Sequence, residues 1–133
     1  MKRTHQLAAL TAAVAAVLAL AATAVTAAGP GETVKVKSEV TLGASGYQGK
    51  VKSANSNCVG ERVVVLKQKG NGVLSRSKSK PNGNWRADLE ALNENIEIPA
   101  NVYAEVKPIT QATAGPIYRC LGAVSKTVEI AGG

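Results

Sequence analysis

VLSRSKSKPNGNWRADLE, residues 73–90, is the stretch on which the fold turns. In its first half cations and hydroxyls alternate, so an extended chain would project Arg76, Lys78 and Lys80 to one side and Ser75, Ser77 and Ser79 to the other. Pro81-Asn82-Gly83 interrupts, and then Trp85, Ala87 and Leu89 alternate with Arg86, Asp88 and Glu90. A period of two on both sides of a turn signal reads as a hairpin, and helical spacing does not order these residues as well. One helix candidate competes, RADLEALNEN at residues 86–95, whose carboxylates would suit a first turn. It is short and follows a turn signal, so a strand is expected over 85–90.

The same period recurs outward from this hairpin. In NVYAEVK, residues 101–107, Val102, Ala104 and Val106 take one face and Tyr103, Glu105 and Lys107 the other. Residues 63–66, VVVL, form a continuous apolar run, the mark of a strand that is central or covered on both sides. Strands are expected near 39–42, 48–53, 62–68, 73–79, 85–90, 101–107, 117–120 and 124–130, with turns at 43–46, 55–60, 69–72 and 81–84. The spacing predicts an all-β fold, an antiparallel two-sheet sandwich of about seven strands, Ig-like or prealbumin-like.

The ends of the chain bound its compartment and size. Lys2, Arg3 and His5 precede a charge-free run of Ala, Leu and Val over residues 6–28, closing on the small residues Val25-Thr26-Ala27-Ala28. That is the pattern of a secretory signal, so residues 1–28 are expected to be removed and the protein to act outside the cell or in its envelope. Gly29-Pro30-Gly31 opens a flexible lead-in over 29–37, and residues 38–133 make the domain. Cutting 28 of 133 residues leaves 105, enough for one core. Two of sixteen cations leave with the signal, so the formal charge falls from +7 to +5 and favours anionic surfaces without naming one. With no Phe, one Trp and three Tyr the core is small. Cys58 and Cys120, the only cysteines of an exported chain, are expected to staple it. Closing so long a loop stabilises by about 4 kcal/mol in the chain-entropy account.

Four segments carry a family likeness: YQGKVKSANSNCVGERVVVLK (47–67), SKPNGNWRADL (79–89), VYAEVK (102–107) and YRCLGAVSKTVEI (118–130). Their order resembles the secreted Ig-like or prealbumin-like sandwich modules related to carboxypeptidase regulatory domains. In those modules a G-x-V strand leads to an R-x-V-x-V strand, a hairpin ending in an aromatic residue, and a Y-x-A strand. The resemblance implies a non-catalytic accessory sandwich. The family's Thr-Asp pair falls on Ser79-Lys80 here, so the Asp that organises that turn is missing, while Gly83 and Trp85 remain. Gly83 is expected to take the positive φ of the tight connection, and Trp85 to fill the space between sheets.

The residue inventory narrows the chemistry. His5, the only histidine, departs with the signal, leaving no imidazole for a general base, a Ser-His triad or zinc. Tyr118 to Gly122, YRCLG, is similar to the Tyr-Arg-Gly-Ser ending of hydroxyisourate hydrolases, but it is internal, altered and lacks the histidines that those enzymes use. Asp88 and Glu90, two apart on one strand face beside Arg86, read as a solvated charge face rather than an acid/base pair across a cleft. Asn93, Glu94, Asn95 and Glu97 offer oxygens that calcium would take, but without the ligand spacing or turn glycine of an EF-hand. No metal or cofactor is expected.

The row Arg76, Lys78 and Lys80 is the candidate anion-binding site, its cations about 7 Å apart on a strand, with Lys50, Lys52, Lys67 and Lys69 as extensions. The plainer reading is a charged edge that resists pairing with a second molecule. No aromatics interleave the cations as nucleic acid would require. The expectation is therefore a monomeric, non-catalytic extracellular binding or accessory domain, without a membrane span after cleavage, whose partner is a protein or an anionic envelope polymer. A structural or self-associating envelope protein is the alternative, and a carboxylate-dependent hydrolase the weaker one.

Overall fold

The computed structural model describes residues 29–132, so the expected signal peptide lies outside the described residues. Eleven strands follow in chain order: β1 (Thr33–Val36), β2 (Ser38–Val40), β3 (Gln48–Ser53), β4 (Val63–Gln68), β5 (Gly72–Lys78), β6 (Asn84–Arg86), β7 (Ala100–Val106), β8 (Ile109–Ala112), β9 (Ile117–Cys120), β10 (Ala123–Val124) and β11 (Val128–Ile130). One α-helix, α1 (Leu89–Asn95), lies between β6 and β7. No helix among the described residues is long and apolar enough to cross a membrane.

The fold is all-β, with more strands than the seven expected. β10, β7, β4 and β5 form one sheet, with β11 also on β7, and β2, β3 and β6 form the facing one. Between them lie Val40, Val51 and Trp85 from the smaller sheet and Val64, Leu66, Leu74, Val102, Ala104 and Val106 from the larger. β4 is central: it pairs with β5 on one side and β7 on the other, which explains the unbroken apolar run at 63–66. Along β7 the inward residues Val102, Ala104 and Val106 are fully buried, while Tyr103 and Glu105 between them are partly exposed, as the alternation predicts. Trp85 is 3% exposed, and its Nε1 donates to the Thr41 carbonyl at 3.1 Å, so the one polar atom of the indole is satisfied within the core. Gly49 sits opposite Trp85 in the β3–β6 register, where any Cβ would meet the Thr41 carbonyl oxygen.

Four expectations need correction. The strand over 85–90 stops at Arg86, and the chain turns into α1, because Asp88 accepts from the Glu90 and Ala91 amides and caps a helix whose Leu92 buries into the core. Leu89, expected on the inner face with Trp85 and Ala87, is exposed at the helix start. The lead-in at 29–37 contains β1, which pairs in parallel with β9, so the pairing is not wholly antiparallel. The strand over 124–130 is also split, since Ser125 Oγ accepts the Ala104 amide between β10 and β11.

β1, β9 and β8 form a third sheet, also three-stranded, beside the sandwich. Two features tie it on. Cys58, in a 3₁₀ turn over Ser56–Cys58, is bonded to Cys120 at the end of β9. Beside that bond lies Arg62, 0% exposed, which makes no ion pair among the described residues. Its guanidinium donates instead to the carbonyls of Cys58 (2.7 Å), Lys107 (2.9 Å) and Leu121 (3.0 Å) and to Ser38 Oγ (2.8 Å). One planar fork thus joins four separate chain segments, while burial lowers its proton affinity from the ordinary arginine value.

Two substitutions check this architecture. Arg62→Met should lower the unfolding free energy by about 3 kcal/mol or more in urea titrations, because it leaves four neutral acceptors without their donor at about 1–3 kcal/mol for each that stays buried and unmet, and Arg62→Lys should recover little of it. A loss under about 1 kcal/mol would show that the four acceptors find other donors. Trp85→Ala should cost about 3–5 kcal/mol, and an unchanged melting temperature would remove the indole from the interior.

Candidate functional site

The hairpin at 73–90 crosses between sheets rather than staying in one. β5 belongs to the larger sheet and β6 to the smaller, and each is the terminal strand of its sheet. Gly83 makes the crossing possible: it has φ +91°, its amide donates to the Lys80 carbonyl at 2.8 Å, and its own carbonyl accepts from the Val51 amide at 2.8 Å. Asn82 Oδ1 accepts from the Asn84 amide at 3.0 Å and closes the turn. A single backbone bond, Lys80 N–H to Asn84 C=O at 2.8 Å, joins the two edges at the hairpin's base. Beyond that bond the two edges bound a cleft of about 590 Å³.

Lys78, Lys80 and Arg86 line this cleft with Gln48, Asn84 and Trp85, and no carboxylate does. Lys78 and Lys80 come from the β5 side and Arg86 from β6, so cations face each other across the opening. Neither Lys78, Lys80 nor Arg86 makes an ion pair among the described residues. Arg86 lies 5.5 Å from the centroid of the Tyr47 ring, a cation–π contact that holds the guanidinium beside the cleft. Like charges gathered around a concave surface focus a positive potential there and raise the local concentration of anions.

The structure brings together part of the expected row. Lys78 and Lys80 reach the cleft, whereas Arg76 lies farther along β5, outside its lining. The serines between them face the interior: Ser75 and Ser77 sit opposite Leu66 and Val64, and Ser79 Oγ donates to the Val59 carbonyl at 2.6 Å and accepts from the Arg62 amide at 3.0 Å. Of the extensions, Lys50 and Lys52 lie on β3, Lys69 follows β4, and Lys67 is paired with Glu105. Asp88 is occupied as the cap of α1, so Asp88 and Glu90 do not share a strand face. Asn95 donates to the Leu74 and Ala91 carbonyls, and among the described residues no three His, Cys, Asp or Glu side chains gather as a metal would need. Arg86 is the residue that the sequence reading passed over. It lies two positions beyond Asn84, the partner of Lys80, and that hairpin spacing was the available signal.

Elsewhere on the larger sheet the charges neutralise one another. Glu105 takes Lys67 at 2.7 Å on one oxygen and Lys107 at 2.8 Å on the other. Hydrogen bonds from Lys107 and then Lys67 hold the Glu105 carboxyl below its ordinary value, and the bond to Glu105 raises Lys67 above its own. A depressed carboxyl contributes stability that is complete above the unfolded value, about 4.3 for Glu, and is lost as pH falls through the folded one. The raised Lys67 contributes below about 10.4 and loses its share as pH rises through the folded value. The gap in unfolding free energy between wild type and Glu105→Gln should therefore be constant near neutrality and narrow below about pH 4.3. A gap that stays the same down to pH 2 in equilibrium melts would dissociate Glu105 from the acid limb.

Comparison of the chain with protein-family models, curated proteins and solved structures finds no match. The cleft between β5 and β6 is accordingly read from its own residues, three cations and no carboxylate.

Proposed function

We propose that the protein is a non-catalytic binding module of the cell exterior or envelope that holds an anionic ligand in the cleft between β5 and β6. The observation that carries this reading is the convergence of Lys78, Lys80 and Arg86 from two sheet edges on one cleft with no acidic side chain in its lining. A row of cations on a single strand would be an ordinary solvated face; cations from two sheets around a concavity are a different arrangement. The Cys58–Cys120 disulfide suits an oxidising compartment, in keeping with the leader pattern at residues 1–28. The carboxylates nearest in sequence, Asp88 and Glu90, do not line the cleft, which supports binding over acid/base catalysis. The resemblance to carboxypeptidase regulatory-like modules favours the same accessory role.

Trp85 is the sole tryptophan and lines the cleft, so its fluorescence reports occupancy directly. Titration with polyglutamate and with polyphosphate should each give a saturable change in that signal. The affinity should fall steeply between 50 and 500 mM salt because exposed charges are screened over about 10 Å at 0.1 M. The triple variant Lys78→Gln, Lys80→Gln, Arg86→Gln should bind at least tenfold more weakly at low salt while melting within a few degrees of wild type. Equal binding by the triple variant would refute the cleft as the site.

A further inference from the structure

We infer that the ligand is an extended acidic segment of a partner protein, which adds to the free edge of β5 as a further strand. This rests on the anion-binding reading of the cleft and specifies it. The backbone of β5 alternates in what it faces. The Ser79 amide donates to the Arg62 carbonyl, so Ser79, and by alternation Ser77 and Ser75, direct their amides and carbonyls to β4. Arg76 and Lys78, between them, therefore turn theirs outward, and among the described residues no strand pairs with β5 on that side. Lys80 follows the same alternation, and its amide is taken by Asn84. The free stretch is bounded at the other end by Asn95, whose side-chain amide donates to the Leu74 carbonyl at 3.2 Å. What remains is a short docking edge, centred on Arg76 and Lys78 and opening into the cleft at Lys78.

The residues with free backbone groups are thus also the residues with the cationic side chains. Arg76 and Lys78 are two positions apart, so their side chains share a face at about 7 Å spacing. A partner strand laid along this edge offers its own side chains at the same spacing, and carboxylates at alternate positions would stand opposite both cations. Pairing β5 against the β5 of a second copy is disfavoured, because it would bring Arg76 and Lys78 against their counterparts. Carbohydrate polymers fit less well. Trp85, the aromatic residue in the cleft lining, is 3% exposed and offers little face for a sugar ring to stack on, and a sugar chain has no amide ladder to match the free edge. This inference also gives Arg76 its place: outside the cleft lining, but on the edge that the strand would follow.

The test uses the exported protein, labelled with nitrogen-15, and three probes: a peptide of alternating Glu and Thr, the same peptide N-methylated at every residue, and polyphosphate. The N-methylated peptide keeps its carboxylates and loses its backbone donors. The unmodified peptide should slow amide hydrogen exchange at Arg76 and Lys78 at least tenfold, with little change at Ser75 and Ser77, whose amides already face β4. It should also bind at least tenfold more tightly than the N-methylated form. Equal affinity of the two peptides and polyphosphate, with Arg76 and Lys78 unprotected, would overturn strand addition and leave the anion cleft standing. Failure of all three probes to bind would overturn both.

Discussion

The structure depends on a buried guanidinium that has no carboxylate partner. Arg62 immediately precedes β4, the central strand, and spends four of its five N–H donors on acceptors from four parts of the chain: Ser38 at the start of β2, Cys58 in the 3₁₀ turn, Lys107 after β7 and Leu121 after β9. Those carbonyls belong to loops, where sheet hydrogen bonding cannot reach, and they lie beside a disulfide that excludes water. A lysine could supply the charge but not the planar fork, and an apolar residue would leave several buried acceptors unmet. The covalent Cys58–Cys120 bond and the Arg62 cluster do complementary jobs. The first limits how far the third sheet can separate from the sandwich, and the second fixes where the loops lie once it is close.

With the loops held, the hairpin at 73–90 is free to serve a different end. Its turn takes the chain from one sheet to the other, and among the described residues neither β5 nor β6 has a strand partner on its outer edge. Unpaired edges are usually hazards because they invite a second molecule. Here the exposed amides of β5 are accompanied by Arg76 and Lys78, which repel an identical edge and attract an acidic one. The feature that protects the protein from itself is, on the reading proposed above, the one that selects its partner. On the same sheet Lys67 and Lys107 differ from these cations in sharing the carboxylate of Glu105.

Much of the sandwich was legible because alternation is a local signal. Residues 102–106 show their inner face without reference to any neighbour, and the continuous apolar run at 63–66 marks a covered strand in the same way; the structure buries Val102, Ala104 and Val106 and also Val64, Val65 and Leu66. The failures share a cause. Residues 86–90 alternate like a strand, yet Asp88 caps a helix, and what tips the balance is Leu92 reaching the core beside β5, a contact between residues far apart in sequence. β1 and β8 were not expected because their faces are only half buried, so their patterns are weak, and they exist through pairing with β9.

The candidate site divides in the same way. The cations at 76, 78 and 80, the glycine that allows the turn, the tryptophan behind it and the two cysteines are all matters of residue type and order, and the sequence by itself determined them. Arg86 joining Lys78 and Lys80, the edges that bound the cleft, and the convergence of four chain segments on Arg62 were decided by the tertiary structure alone. The reason is physical: alternation along one strand assigns side chains to faces, but which strand lies across a gap depends on pairings closed over tens of residues, and those carry no local mark.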